Sequence, residues 1–91
     1  MSDEIFICKD CGKVYPEPQD GHRSGFTVRQ IKQAFRDSPT IAYVNDTAKQ
    51  FGFHVALLAR SGGEAATMAT QIMNLAGYRR KQLGGGFGKA A

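Results

Sequence analysis

Two cysteines separated by two residues, Cys8-Lys9-Asp10-Cys11, with Gly12 directly after them, are the sharpest chemical signal in this sequence. Two intervening residues let both thiolates reach one metal ion, while backbone N–H groups of the turn bond to sulfur. A glycine after the second cysteine allows the positive φ that such a turn often needs. A pair this close is poor material for a disulfide framework, and in a reducing compartment it reads as metal-binding or redox-active. A thioredoxin-type redox pair opens a helix after a strand, and Gly12, Pro16 and Pro18 oppose a long helix here. The remaining alternative is a knuckle whose turn persists without metal. Metal binding ranks first of the three, with zinc as the expected ion. Tetrahedral closure then calls on His22, on His54, on carboxylates such as Asp20, or on the knuckle of a second chain across a homodimer. His22 is nearest and lies in a polar loop, so the expected ligand set is Cys8, Cys11 and His22.

Two further groups have the chemistry to hold an anion. Arg60-Ser61-Gly62-Gly63 is expected to join a strand to a helix, where free backbone N–H groups, two glycines and an adjacent arginine suit a phosphate. The plainer reading is an ordinary capped helix start, with Glu64 opposing an anion. Neither the spacing nor the lysine of a P-loop is present. Arg79-Arg80-Lys81, near Tyr78, Phe87 and Lys89, suits sequence-independent contact with nucleic-acid phosphates. The competing reading is a solvated helix end whose cations complement the helix dipole.

The stretch Phe6-Ile7-Cys8-Lys9-Asp10-Cys11-Gly12-Lys13-Val14-Tyr15, with Pro18 and Asp20-Gly21 beyond it, resembles the first knuckle of rubredoxins and related zinc ribbons. In that family an aromatic stands two residues before the first cysteine and another follows the glycine. The resemblance is confined to residues 6–21 and implies Cys8 and Cys11 as ligands. The second Cys-x-x-Cys knuckle of the family has no counterpart, since the chain holds 2 cysteines in all.

These residues need a frame to position them. Thr27 with Gln30 forms a capping box, and Phe26 with Ile31 stands at the spacing of a hydrophobic staple. Val28, Ile31 and Phe35 then make one apolar stripe, predicting a helix over about 27–37 that Ser38-Pro39 stops. Residues 40–44 (Thr-Ile-Ala-Tyr-Val) and 53–59 (Phe-His-Val-Ala-Leu-Leu-Ala) read as strands. The link between them is too short for a parallel crossover, which predicts an antiparallel pair. A second helix is expected over about 62–77, capped by Ser61 with Glu64. Its expected buried face is Met68, Ala69, Ile72, Met73, Leu75 and Ala76, with Gly77 as C-cap. The fold class is α+β: an N-terminal knuckle (5–21) whose strand is free to join the sheet, and two helices on a small antiparallel sheet. Residues 1–83 form one domain, and 84–91 a flexible Gly-rich tail.

The whole chain has 91 residues and a formal charge of +4. Residues 1–20 hold five acids against two lysines, and residues from Arg23 onward hold ten Lys/Arg against three acids. Any polyanion site therefore belongs to the later part of the chain. No apolar run has the length of a membrane span, and the acidic start is unlike a signal peptide, so a cytoplasmic protein with no membrane partner is expected. No nucleophile–base frame is present, which argues against an enzyme. The expected function is a small zinc-knuckle domain contacting nucleic acid. The alternative is a protein-interaction module or inhibitor, of the size of phage-type regulators, that docks on a larger nucleic-acid-processing complex.

Overall fold

Thr27 caps the first helix as its sequence requires. Its backbone is extended (φ −85°, ψ 161°), its hydroxyl accepts from Gln30 N–H, and the Gln30 side chain accepts in return from Thr27 N–H at 2.9 Å. The computed structural model describes residues 2–18, 21 and 24–84. In it three strands, β1 (Phe6–Cys8), β2 (Lys13–Tyr15) and β3 (Gly25–Thr27), precede four helices. These are α1 (Val28–Arg36), α2 (Ile41–Gln50), α3 (Gly52–Ser61) and α4 (Gly63–Gly84).

The class is α+β, but its sheet is made from other residues than expected. The strand order is β2-β1-β3, both pairings are antiparallel, and the knuckle strand β1 is central. Ile7 faces Val14 on one side and Phe26 on the other. Gly25 sits so close to β1 that a Cβ there would lie 2.0 Å from the Ile7 carbonyl oxygen. Only glycine permits that approach, so the close pairing of β3 with β1 requires it.

Residues 41–44 and 53–59 are helical, and the expected strands do not form. Thr40 is an N-cap, its hydroxyl accepting from Tyr43 N–H at 3.1 Å. The buried residues are Val44, Thr47, Phe51, His54 and Leu58, spaced 3, 4, 3 and 4 apart, which is the stripe of a helix and not the alternation of a strand. The β-branched Thr40, Ile41 and Val44 favour strand locally, but burial against α4 overrides that preference. Phe53 is 52% exposed, so the segment is covered on one side only.

The last helix is longer than expected and starts differently. Ser61 closes α3, and its hydroxyl donates to Leu57 O at 2.8 Å in place of capping α4. The turn is made by Gly62 and Gly63, with φ of 72° and 56°. Gly77 lies inside α4 and not at its end, and α4 takes in Gly84, the first residue of the expected tail. Residues 85–91 lie outside the described residues. Ala65, Met68, Ala69, Ile72 and Ala76 are buried against the other helices, whereas Met73, expected among them, is 63% exposed. Leu75 is half-buried.

Long-range polar contacts tie the elements together. Asp3 accepts from Lys32 Nζ at 3.0 Å, and Glu4 pairs with Arg29, so the acidic N-terminus neutralises part of α1. Arg79 of α4 donates from Nε and Nη2 to the Ser38 carbonyl at 3.2 and 2.9 Å. That carbonyl belongs to the tight α1–α2 link, where Ser38 is fully buried.

Two glycines therefore behave oppositely. Gly25→Ala forces β3 off β1 and should cost about 1–3 kcal/mol. At Gly77 a Cβ meets no atom within 4 Å, so Gly77→Ala should stabilise α4 by up to about 1 kcal/mol. Urea unfolding checks both: the midpoint falls for the first and rises for the second, at an unchanged slope.

Candidate functional site

The knuckle is built by the β1–β2 turn. Cys8 ends β1, and Gly12 N–H donates to the Cys8 carbonyl at 2.9 Å, folding the intervening residues into a tight loop. Gly12 has φ of 66°, the left-handed conformation anticipated for it. Cys8 is buried, Cys11 is exposed, and the two cysteines stand 3.6 Å apart. Tyr15 on β2 completes the group. Its phenol is held above its usual pKa of 10.0, first by burial, then by a hydrogen bond with Cys11 and the nearness of the Cys11 and Cys8 thiols.

Pleating decides which other side chains can reach the pair. Ile7, with its cross-strand partners Val14 and Phe26, belongs to the helix-facing core. Cys8 follows Ile7 and so points to the opposite face, as do Phe6 and its partner Tyr15. His54 packs on Phe26 with ring centroids 5.4 Å apart, which puts it on the helix side of the sheet and away from the Cys8 sulfur. Of the two histidines weighed as ligands, His54 is thereby removed. His22 and Asp20 lie outside the described residues. Ser24, two residues beyond His22, accepts from Lys9 N–H at 2.6 Å. Among the described residues no group of three or more His, Cys, Asp or Glu side chains comes together.

The expected anion residues are dispersed. Arg60 and Ser61 are the last residues of α3, and Gly62-Gly63 a helix–helix turn, so the expected strand-to-helix loop does not exist. Ser61 and Gly62 border a shallow groove with Tyr15 and Pro16, at the knuckle end of the molecule. Arg79, Arg80 and Lys81 lie sixteen to eighteen residues along α4 from Gly63, about 24–27 Å at 1.5 Å per residue. The two groups form no common site. Within the second group Arg79 is consumed by Ser38 O and by Gln82 Oε1, and Arg80 Nε donates to Asn45 Oδ1 at 2.8 Å. Lys81 is exposed.

His54 is the residue whose setting the sequence concealed. It is 5% exposed, ringed by Phe26, Phe51 and Phe53, and neither ring nitrogen has a hydrogen-bond partner among the described residues. Burial, and secondarily the charge of Lys9, hold its pKa below the usual 6.5. Its place in the 44-47-51-54-58 stripe was the available signal, masked by reading the segment as strand. No helix among the described residues is long and apolar enough to cross a membrane. Comparison with protein-family models, curated proteins and solved structures gave no match.

The His54 setting fixes a pH dependence. A histidine with a lowered native pKa leaves the unfolded chain binding more protons than the folded one, so stability falls as the pH drops below about 6.5. His54→Phe keeps the aromatic packing and removes the titration. Its stability advantage over the wild type should widen steadily from pH 7 to pH 5 in paired urea titrations. Parallel curves would show that His54 is not buried as a neutral ring.

Proposed function

We propose that this chain is a binding protein without catalytic chemistry, stabilised at one end by a zinc knuckle and reading its target through the α2–α4 side. The 3.6 Å separation of Cys8 and Cys11 carries the metal half of this reading. Two thiolates on one tetrahedral ion with bonds of about 2.3 Å stand about 3.8 Å apart, so the pair needs little adjustment to share zinc. A linear two-coordinate ion would need them further apart. His22 is the third ligand of choice. It is two residues from Ser24, which is tied to Lys9 beside Cys8, and two residues of chain span at most about 7 Å.

For the target, a protein partner is the better supported class. Arg79, one of the residues first expected to meet phosphate, is held by Ser38 and Gln82, which leaves Arg80 and Lys81 at the edge of an apolar surface. Beside them an apolar furrow opens between α2 and α4, and Met73 and Ile41 are exposed on that side. One observation favours the second reading, nucleic acid: residues 65–84 hold three Lys/Arg and no acid, ending in the exposed Lys81. Phosphate contacts would make such binding weaken roughly a hundredfold or more between low and physiological salt.

Metal content of the untagged protein, measured with its mass in solution, tests the knuckle. The expected result is one zinc per chain, lost in Cys11→Ser, whose exposed position leaves the core intact. Half a zinc per chain at dimeric mass would assign the site to two knuckles. No metal, with unfolding indifferent to chelator, would remove zinc from the protein. In a gel shift on duplex DNA, the protein-partner reading expects no salt-dependent complex. A complex abolished by Arg80→Ala with Lys81→Ala would replace it with the nucleic-acid reading.

A further inference from the structure

The furrow beside α4 has two adjoining lobes. The first, of about 370 Å³, has the buried Phe35, Ile72 and Ala76 as its floor and the exposed Met73 on its rim. The second, of about 340 Å³, is bounded by Ile41, Gly77 and Lys81, and Arg80 borders both. Along α2 the furrow runs from Ile41 to Gly52, the first residue of α3, about 16 Å or three helical turns. Its length is therefore that of a short helix.

Three observations bear on what fills it. The lining is apolar, and Met73 adds a flexible thioether that re-packs easily against a partner. Gly52 and Gly77 both border the furrow, and a Cβ on either would meet no atom within 4 Å. The fold itself thus has no steric need of glycine at Gly77, yet it bears the helix penalty of about 1 kcal/mol there. Bare backbone on a groove wall allows an outside helix to approach closely. Finally, the charges at the lip are of one sign. Arg80 is fixed between the lobes by its bond to Asn45, Lys81 stands next to it, and no carboxylate lines either lobe.

We propose that this furrow is the docking site of an acidic amphipathic helix supplied by a partner protein. The inference rests on the protein-partner reading given above and adds the chemistry of the partner. Apolar side chains at i, i+4 and i+7 of the incoming helix occupy the two lobes, and flanking Asp or Glu meet Arg80 and Lys81. Charge at the lip sets orientation and partner choice, while the apolar floor supplies most of the affinity.

The test uses the full chain, labelled with ¹⁵N, and two synthetic helix-forming peptides. Both carry leucines at i, i+4, i+7 and i+11; one has glutamates and the other lysines on the flanking positions. The glutamate peptide should shift the amide resonances of Ile41, Ala48, Gly52, Met73 and Gly77 saturably. Met73→Glu and Lys81→Glu, both at exposed positions, should each weaken it about tenfold or more in fluorescence anisotropy, equivalent to about 1.4 kcal/mol. Gly77→Gln, which fills the groove wall without touching the core, should do the same. If the lysine peptide binds the same residues equally well or better, the acidic partner is wrong and the protein-partner reading survives. If neither peptide moves these resonances, the docking site is overturned. If duplex DNA moves them and the peptides do not, the protein-partner reading fails with it. If they move with protein concentration alone, the furrow is covered by a second copy and the proposal falls.

Discussion

Backbone meets backbone where Gly25 lies against the Ile7 carbonyl, and much of the molecule is set by that contact. It holds β3 on β1, and β3 runs without a break into the cap of α1 at Thr27. The direction of α1 is thereby fixed by the sheet, and Val28 N–H donating to Ile5 O at 2.8 Å locks the corner. One residue earlier in the chain, Ser24 is tied to Lys9, so the same strand that aims the helix also steadies the cysteine turn. Ile5 and Ile7 then enter the core that α1, α3 and α4 enclose.

What could be read in the sequence follows from how local its cause is. The first helix was legible because cap, box and stripe all lie within ten residues and agree. The knuckle turn was legible for the same reason: Gly12 adopts the positive φ its position implied. Segments 40–44 and 53–59 were misread because each, taken alone, is short, apolar and rich in strand-favouring residues. Their helical period emerges only when 44–58 is viewed as one stripe, and what enforces it is α4, some twenty residues away in sequence. The sheet was found in the wrong place because β3 has three residues and includes a glycine, whose role depends on a partner strand and not on propensity.

The site divides in the same manner. Cys8 and Cys11 declared themselves through spacing, whereas Arg79 and Arg80 were read as free cations because their partners are 41 and 35 residues away. An arginine in a basic run looks identical in sequence whether it faces solvent or braces a buried carbonyl. The buried aromatic setting of His54 was equally hidden, since it depends on three phenylalanines drawn from β3, α2's end and α3.

The order in which the chain closes has a consequence for its synthesis. The sheet pairs residues 6–8 with 13–15 and 25–27, contacts of short sequence separation that can form as soon as they emerge. The buried sides of α1, α2 and α3, by contrast, have their principal cover in α4, the last described element to be made. Until Ala65 to Ala76 arrive, Phe35, Val44 and Leu58 lack their main cover. A nascent or prematurely terminated chain is thus a half-assembled helical sandwich with an open apolar flank, of the kind that chaperones and proteases recognise. Addition of α4 closes that flank.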